Sequence, residues 1–215
     1  MAVSICPSLS GAPVEPDAPA GTKFSFREPV VGTPAFPIAV YDDNVGRDAV
    51  AWHWHEAFEI GCITEGAVLA EIGSRKYTLD QGDVFFINSE IMHSMRNASP
   101  GSPAVFKAVV FHGSIIGGRE NSVFHQKYVL PVMKSVGLRD CVFRREEPHT
   151  GRLFSDIMDL WTSVYSEEEG YELYVRNWLS SFFQTLLAHT GGKAPDGPGD
   201  EQRLEFHRWF EPSLA

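Results

Sequence analysis

Short apolar or alternating runs dominate the first half of the chain and predict strands. Between Phe24 and His112 these runs are broken at short intervals by glycine, aspartate, asparagine and proline. Such a pattern is typical of a sandwich or barrel of several strands. We expect strands at residues 37–41, 50–55, 57–64, 67–72, 75–79, 83–88, 92–97 and 104–112.

The second half of the chain changes to helical spacing. Residues 121–134 predict a short helix that runs into a proline-broken segment, and residues 151–166 repeat apolar side chains at helical intervals. The clearest helix spans residues 170–190, where Gly191-Gly192 ends it. Its apolar stripe consists of Val175, Trp178, Leu179, Phe182, Phe183, Leu186 and Leu187. Strands followed by packed helices predict an α+β fold.

The two ends of the chain differ in composition from the middle. The first residues are rich in Pro, Ala, Ser and Gly, and the last begin as a Gly- and Pro-rich linker. We therefore divide the chain into a flexible arm (1–22), a barrel (23–115), a helical region (116–190), and a linker with the start of a further domain (191–215).

Composition and charge limit the classes of function. With 43% hydrophobic residues in 215, the chain is long enough to bury a core. Its net charge of −10 argues against direct binding of a nucleic-acid backbone, because such binding needs a basic protein surface. Cys6, Cys62 and Cys141 lie far apart and predict free thiols in a reducing cytosol. With neither a signal-peptide pattern nor a long apolar run, the sequence predicts a soluble, cytoplasmic protein with no membrane partner.

The candidate chemistry centres on the stretch His-Trp-His-Glu-Ala-Phe-Glu. Because side chains alternate along a strand, His53, His55 and Glu59 share one face. The other residues near them on this face, Ala57 and Gly61, are small and are expected to leave open space. The opposite face is large and apolar, and the helix at 170–190 could cover it. The sequence thus predicts a polar cluster on the inner wall of the barrel.

A third histidine, His93, lies in a later predicted strand. Two histidines and a carboxylate from one strand with a histidine from another form a common ligand set for a divalent metal such as Zn, Ni, Mn or Fe. The same four side chains, without metal, could hydrogen-bond a ligand or form a purely structural buried network. Phe86 and Met95 are further candidates for the pocket lining, although only one of Phe85 and Phe86 can face inward.

Two segments carry a resemblance to a known fold family. The spacing His-x-His-x3-Glu-x6-Gly, formed by His53, His55, Glu59 and Gly66, resembles the first motif of cupins. The Gly-Asp turn at 82–83 with His93 and Asn97 resembles the second motif. This second match departs from the pattern, because Asp80 replaces the expected proline and the gap from glycine to histidine is longer than in metal-binding cupins.

Over roughly residues 35–190 the chain is similar to the N-terminal half of AraC/XylS-type bacterial transcription regulators. The resemblance implies a cupin-type double-stranded β-helix that binds a small effector, for which a sugar or a small carboxylate is expected. It also implies that the following helical pair forms a homodimer, with Trp178, Phe182 and Leu186 as the expected seam. DNA would be met only through a helix-turn-helix domain missing from this chain, and the domain itself would not be an enzyme.

Two other hypotheses stay open at this point. A metal-dependent cupin enzyme, such as a dioxygenase or isomerase, would hold its metal with His53, His55, Glu59 and His93. A pure dimerisation module would instead fill its barrel with side chains. Metal content and the state of the pocket distinguish these from the regulatory module.

Overall fold

The computed structural model describes residues 31–189, which form a β-barrel with helices packed against one side. Its strands are β1 (Ile38–Asn44), β2 (Val50–His53), β3 (Phe58–Ile72), β4 (Arg75–Asp80), β5 (Val84–Ile87), β6 (His93–Asn97), β7 (Ala104–Phe111) and β8 (Asp140–Phe143). The helices are α1 (Ser114–Gly117), α2 (Leu130–Met133), α3 (Thr150–Ser166) and α4 (Tyr171–His189), and a π-helical turn, His125–Val129, precedes α2. The predicted arm (1–22) and terminal linker (191–215) lie outside the described residues.

All strand pairs are antiparallel, and two sheets share β3. One sheet has the order β1-β7-β3-β5-β8, and in the other β3 pairs with β4 and β6, which in turn pairs with β2. The helices follow and pack on the first sheet. The prediction of a cupin-type barrel with an α-helical pair is therefore confirmed.

The strands predicted at 57–64 and 67–72 are one continuous strand, β3. Residues up to Gly66 pair with β7, and residues from Ala67 onward pair with β4 and β6. Gly66 has a φ of +68°, and a Cβ atom at this position would collide with the carbonyl oxygen of Pro103. Because only glycine accepts both constraints, Gly66 lets β3 pass from one sheet into the other.

Strand β8 lies where the sequence pattern predicts no strand. Its four residues pair with β5, so a piece of the predicted helical region completes the barrel. The Asp83 carboxylate fixes its end by accepting hydrogen bonds from the Arg144 side chain (2.8 Å) and the Arg145 backbone N–H (2.9 Å). The Gly-Asp turn of the second cupin-like motif therefore acts here as an anchor for β8.

Alternation along β3 and β5 creates two separate cores. Phe58, Ile60 and Phe86 face the helices, where the Phe58 ring meets Phe183 of α4 with centroids 5.2 Å apart. Phe85 faces the other way, into the barrel. The apolar stripe of α4 thus covers the sheet face that the sequence pattern leaves uncovered.

The residues expected at a dimer seam are used inside the subunit. Phe182 and Leu186 are 2% and 0% exposed, and Trp178 stacks on Phe182 with ring centroids 5.5 Å apart. Because α4 directs its apolar stripe at its own barrel, Phe182 and Leu186 belong to the core of the subunit and not to a seam. Trp178 is half-buried, and its place in a seam, like dimerisation itself, stays a prediction.

Among residues 31–189, no helix has the length and apolar character that crossing a membrane requires.

Phe182 offers a direct test of this arrangement. Phe182→Ala is expected to lower the free energy of unfolding by about 3–5 kcal/mol, since the ring packs among Phe86, Phe143 and Trp178. The control Leu173→Ala, at a side chain that is 69% exposed, is expected to change it by about 0.5 kcal/mol or less. Urea unfolding measures both. A Phe182→Ala loss that grows or shrinks with protein concentration would instead place this residue between subunits.

Candidate functional site

Three elements bring the predicted polar cluster together inside the barrel. His53 ends β2 and His93 begins β6, and the two are direct partners across these paired strands. His55 lies in the connection to β3, which carries Glu59. One ligand atom from each of the four side chains lies within 4.8 Å of the others. The structure thus unites all four residues that the sequence pattern singles out.

Each of the three imidazole rings is held by a backbone carbonyl. The Nδ1–H groups of His53, His55 and His93 donate hydrogen bonds of 2.9, 2.9 and 2.7 Å. The accepting carbonyl oxygens belong to Ala51, Ala57 and Ile91. Such outer hydrogen bonds fix the tautomer and turn Nε2 inward, as they do for metal-binding histidines.

The Glu59 carboxylate is the hub of the cluster. Its Oε2 atom lies 3.0 Å from Nε2 of His93 and 3.3 Å from Nε2 of His55. Burial acts to raise the pKa of Glu59, but its hydrogen bonds with His55 and His93 outweigh this effect and lower the pKa below its ordinary value. Glu59 is therefore ionised at neutral pH and accepts hydrogen bonds only.

This geometry needs a positive charge that the neutral rings do not supply. A neutral imidazole with its proton on Nδ1 presents a bare Nε2 lone pair, so both contacts to Glu59 would join two acceptors. Either His55 and His93 are imidazolium ions, or a cation lies among the four side chains. The rings of His55 and His93 lie 5.2 Å apart, and two like charges so close in a buried site are unfavourable.

His53 completes the open side of the cluster. Its ring lies 4.1 Å from that of His93, and it is the most exposed of the four side chains. Burial, together with the charge of His93, lowers its pKa to about 3. A neutral His53 at physiological pH has its Nε2 lone pair free to bind a metal ion.

A small cavity adjoins the cluster. Its volume is about 30 Å³, on the measure by which one water needs at least about 10–15 Å³. The expected open space above Gly61 is absent, because the Phe85 ring occupies it. The lining residues are Tyr41, Asp43, Val50, His53, Glu59, His93, Met95, Phe106, Ala108 and Val110.

Two sequence-based expectations about the lining have different outcomes. Met95 lines the cavity, as its place in the pattern suggests. Phe86 does not, because the alternation of β5 turns it into the helix-facing core against Phe58 and Phe182. Its assignment as a ligand-contacting residue is therefore corrected.

Sequence analysis missed the wall formed by β1 and β7. Tyr41 and Asp43 of β1 face Ala108 and Phe106 of β7 across paired positions, and all four line the cavity. Asp43 is 6% exposed. The predicted first strand ended at Tyr41, so Asp43 was outside it. An alternating pattern extended by two residues would have placed Asp43 on the same face.

The comparison with known families decides which kind of barrel this is. A family model described as the AraC-like ligand binding domain matches residues 36–183. This chain belongs to that family. The recognition of an AraC-type effector-binding regulatory domain from its motifs is thereby confirmed.

Individual relatives of this AraC-like ligand-binding domain are distant. The chain is 21% identical over 160 residues to the uncharacterized HTH-type transcriptional regulator YdeC of Bacillus subtilis, covering 73% of this chain and 54% of YdeC. It therefore spans about half the length of that regulator.

Solved structures show similarly limited likeness. ToxT of Vibrio cholerae matches with a TM-score of 0.49 and 12% identity over 81% of this chain and 65% of ToxT. A predicted oxalate decarboxylase of Thermotoga maritima matches with a TM-score of 0.31 and 27% identity over 35% of this chain and 65% of that protein.

Glu59→Gln distinguishes the two possible sources of positive charge, which are imidazolium forms of His55 and His93 or a cation bound among the four side chains. In metal-free protein at pH 8, the new amide N–H groups can donate to the bare Nε2 atoms of His55 and His93. We therefore expect the free energy of unfolding to rise by about 1–2 kcal/mol. The control Glu65→Gln, at an exposed position of β3, is expected to change little. Urea unfolding in EDTA tests this. A Glu59→Gln variant less stable than the control would show that imidazolium ions hold the cluster.

Proposed function

We propose that this domain binds its small-molecule effector at a divalent metal ion held by His53, His55, Glu59 and His93. The observation that carries the proposal is the inward convergence of three carbonyl-anchored imidazoles on one buried, ionised carboxylate. Three nitrogen donors and one oxygen donor suit Zn, Ni, Fe or Mn. When bound, such a metal supplies positive charge and further coordination positions for a ligand oxygen.

The charges around the cavity favour a neutral effector with hydroxyl groups. Two carboxylates, Asp43 and Glu59, line it, whereas no lysine or arginine of the described part of the chain does so. Asp43 is buried on the β1 wall, and its carboxylate, like that of Glu59, offers acceptor oxygens to the hydroxyl groups of a ligand. We infer that one hydroxyl of the effector binds the metal and another donates to Asp43. Of the two expected classes, this favours a small polyol or sugar over a carboxylate.

A regulatory role accords with the family better than a catalytic one. The matching family is a ligand-binding domain, and the similar protein YdeC is named as an HTH-type transcriptional regulator. We propose that the domain acts in the cytoplasm as part of a homodimer and reaches DNA through a helix-turn-helix domain. The metal-binding donor set also fits a dioxygenase or isomerase, which makes a metal-dependent enzyme the second candidate.

Metal content tests the first part of the proposal. Protein purified without chelator is expected to carry about one divalent ion per chain. A thousandfold excess of metal over its dissociation constant should stabilise the stripped protein by about 4 kcal/mol. His53→Asn should lose both effects, because the amide is a poor ligand for these metals. His149→Asn, at an exposed histidine before α3, is the matched control and should keep them. Elemental analysis and thermal unfolding provide the readouts, and metal-free wild-type protein without a metal-induced shift would contradict the proposal.

Asp43→Asn tests the proposed effector class. In metal-loaded protein this change should weaken the binding of glycerol, used as a small polyol, by roughly tenfold, since a charge-assisted hydrogen bond is lost. Glycolate, which has similar size and one carboxylate, should bind as well or better because a repulsive charge is removed. Isothermal calorimetry measures both ligands. Preference of the wild-type protein for glycolate, unchanged in Asp43→Asn, would point to a carboxylate effector.

A further inference from the structure

The cavity is small, and it could enclose an organic effector completely only if one of its walls moved. A volume of about 30 Å³ holds about two water molecules, which is less than any sugar requires. Half of the ten lining residues belong to β1 and β7. Within residues 31–189, β1 pairs with β7 alone. A strand paired on one side is easier to displace than one paired on both, so β1 is a candidate for the wall that yields.

Strand β1 presents its two faces to different parts of the domain. Tyr41 and Asp43 point into the cavity. Ile38 and Val40, which alternate with them, pack in the core shared with α3 and α4. A displacement of β1 by a ligand therefore acts directly on the packing beneath the helices.

A specific set of contacts joins β1 to α3. The indole N–H of Trp161 in α3 donates a 2.8 Å hydrogen bond to the backbone carbonyl of Tyr41. Lys107 of β7 lies 3.6 Å from the centroid of the Trp161 ring and forms a 2.6 Å ion pair with Asp42 of β1. The residue whose side chain lines the cavity thus holds α3 through its own backbone.

Of the other strands that pair on one side only, β2 is the one that lines the cavity, and it lacks such a connection. Strand β2 pairs only with β6 in the described part of the chain, and its Ala51 and Trp52 side chains are exposed on the outside. An outward shift of β2 would therefore not act on a helix, whereas an outward shift of β1 would change its contacts with α3.

We propose that Trp161 is the positioning residue through which an occupant of the cavity changes the placement of α3. The inference rests on the proposed function only in taking this cavity as the effector site. Entry of the effector pushes β1 outward. This shift reaches α3 through the Tyr41–Trp161 hydrogen bond and through the cation–π contact between Lys107 and the Trp161 ring. Coupling through a contiguous element with two arrangements is the physical basis required for such a response.

The test fills the cavity with a side chain, so that no effector needs to be known. Ala108→Leu adds bulk beside Tyr41, which pairs with Ala108. Ala70→Leu makes the same change at another fully buried alanine of the barrel interior that does not line the cavity. Each change is made in the wild-type chain and in Trp161→Phe, and amide hydrogen exchange is followed over residues 150–166.

We expect Ala108→Leu to speed exchange in α3 by roughly threefold or more relative to Ala70→Leu, a coupling within the range found for groups in contact. In Trp161→Phe this excess should disappear. Equal exchange for the two fillings, additive effects with Trp161→Phe, or a response limited to residues 50–53 would overturn the proposal. If Ala108→Leu does not fold, Ala108→Val is judged by the same criteria.

The metal measurement on the same variants keeps the two hypotheses apart. Trp161→Phe should retain the metal content of the wild-type chain, since Trp161 lies outside the cluster. A chain without metal whose α3 still responds to cavity filling would contradict the metal site and leave the coupling standing. A chain that carries metal but whose α3 does not respond to cavity filling would support the metal site and contradict the coupling.

Discussion

Burial of β3 on both faces is the constraint on which the rest of this structure depends. One face carries Phe58 and Ile60 into the core beneath α4, while the other carries Glu59 into the barrel. Glu59 is 5% exposed, and a buried carboxylate is tolerated only with partners of opposite charge or good hydrogen-bond donors. His55 and His93 lie against it, each with its ring fixed by a backbone carbonyl, so the charge that offsets Glu59 is carried either by these rings or by a cation held among them. The surroundings of the buried Glu59 carboxylate thus bring together the end of β2, the start of β3 and the start of β6.

Periodicity predicted the parts of this architecture in which one pattern persists over many residues. The stripe of α4 repeats apolar side chains at helical spacing from Val175 to Leu187, and His53, His55 and Glu59 follow strand parity closely enough to place them on one wall. Where a pattern was short or interrupted, prediction failed. The four residues of β8 are too few to show alternation, and their place depends on the distant Asp83. The pattern predicted two strands, 57–64 and 67–72, on either side of Gly66, because the sequence does not show that Pro103 approaches this glycine.

The site shows a similar division between local and distant causes. Side chains on one strand could be assigned to one face, but which of two neighbouring phenylalanines enters the barrel depends on register. Phe85 pairs opposite Gly61, whose missing side chain makes room for its ring. This single complementarity fills the space that small residues on β3 were expected to leave open. It also turns Phe86 toward α4, so one register relationship corrects both the lining and the size of the pocket.

The small size of the cavity gives the dual role of β1 its significance. A ligand that fitted the pocket equally well in every arrangement of the domain would gain binding free energy without favouring one arrangement over another. Here a ligand larger than the cavity must displace a wall, and its binding therefore depends on the arrangement of the domain. Of the two cavity-lining strands with a single described neighbour, β1 is the one to which Trp161 is bonded. Opening the cavity then weakens the contacts between β1 and α3, which adds to the free energy that opening requires. Because coupling free energies are reciprocal, a change that weakens these contacts should strengthen ligand binding by the same free energy by which binding weakens the contacts.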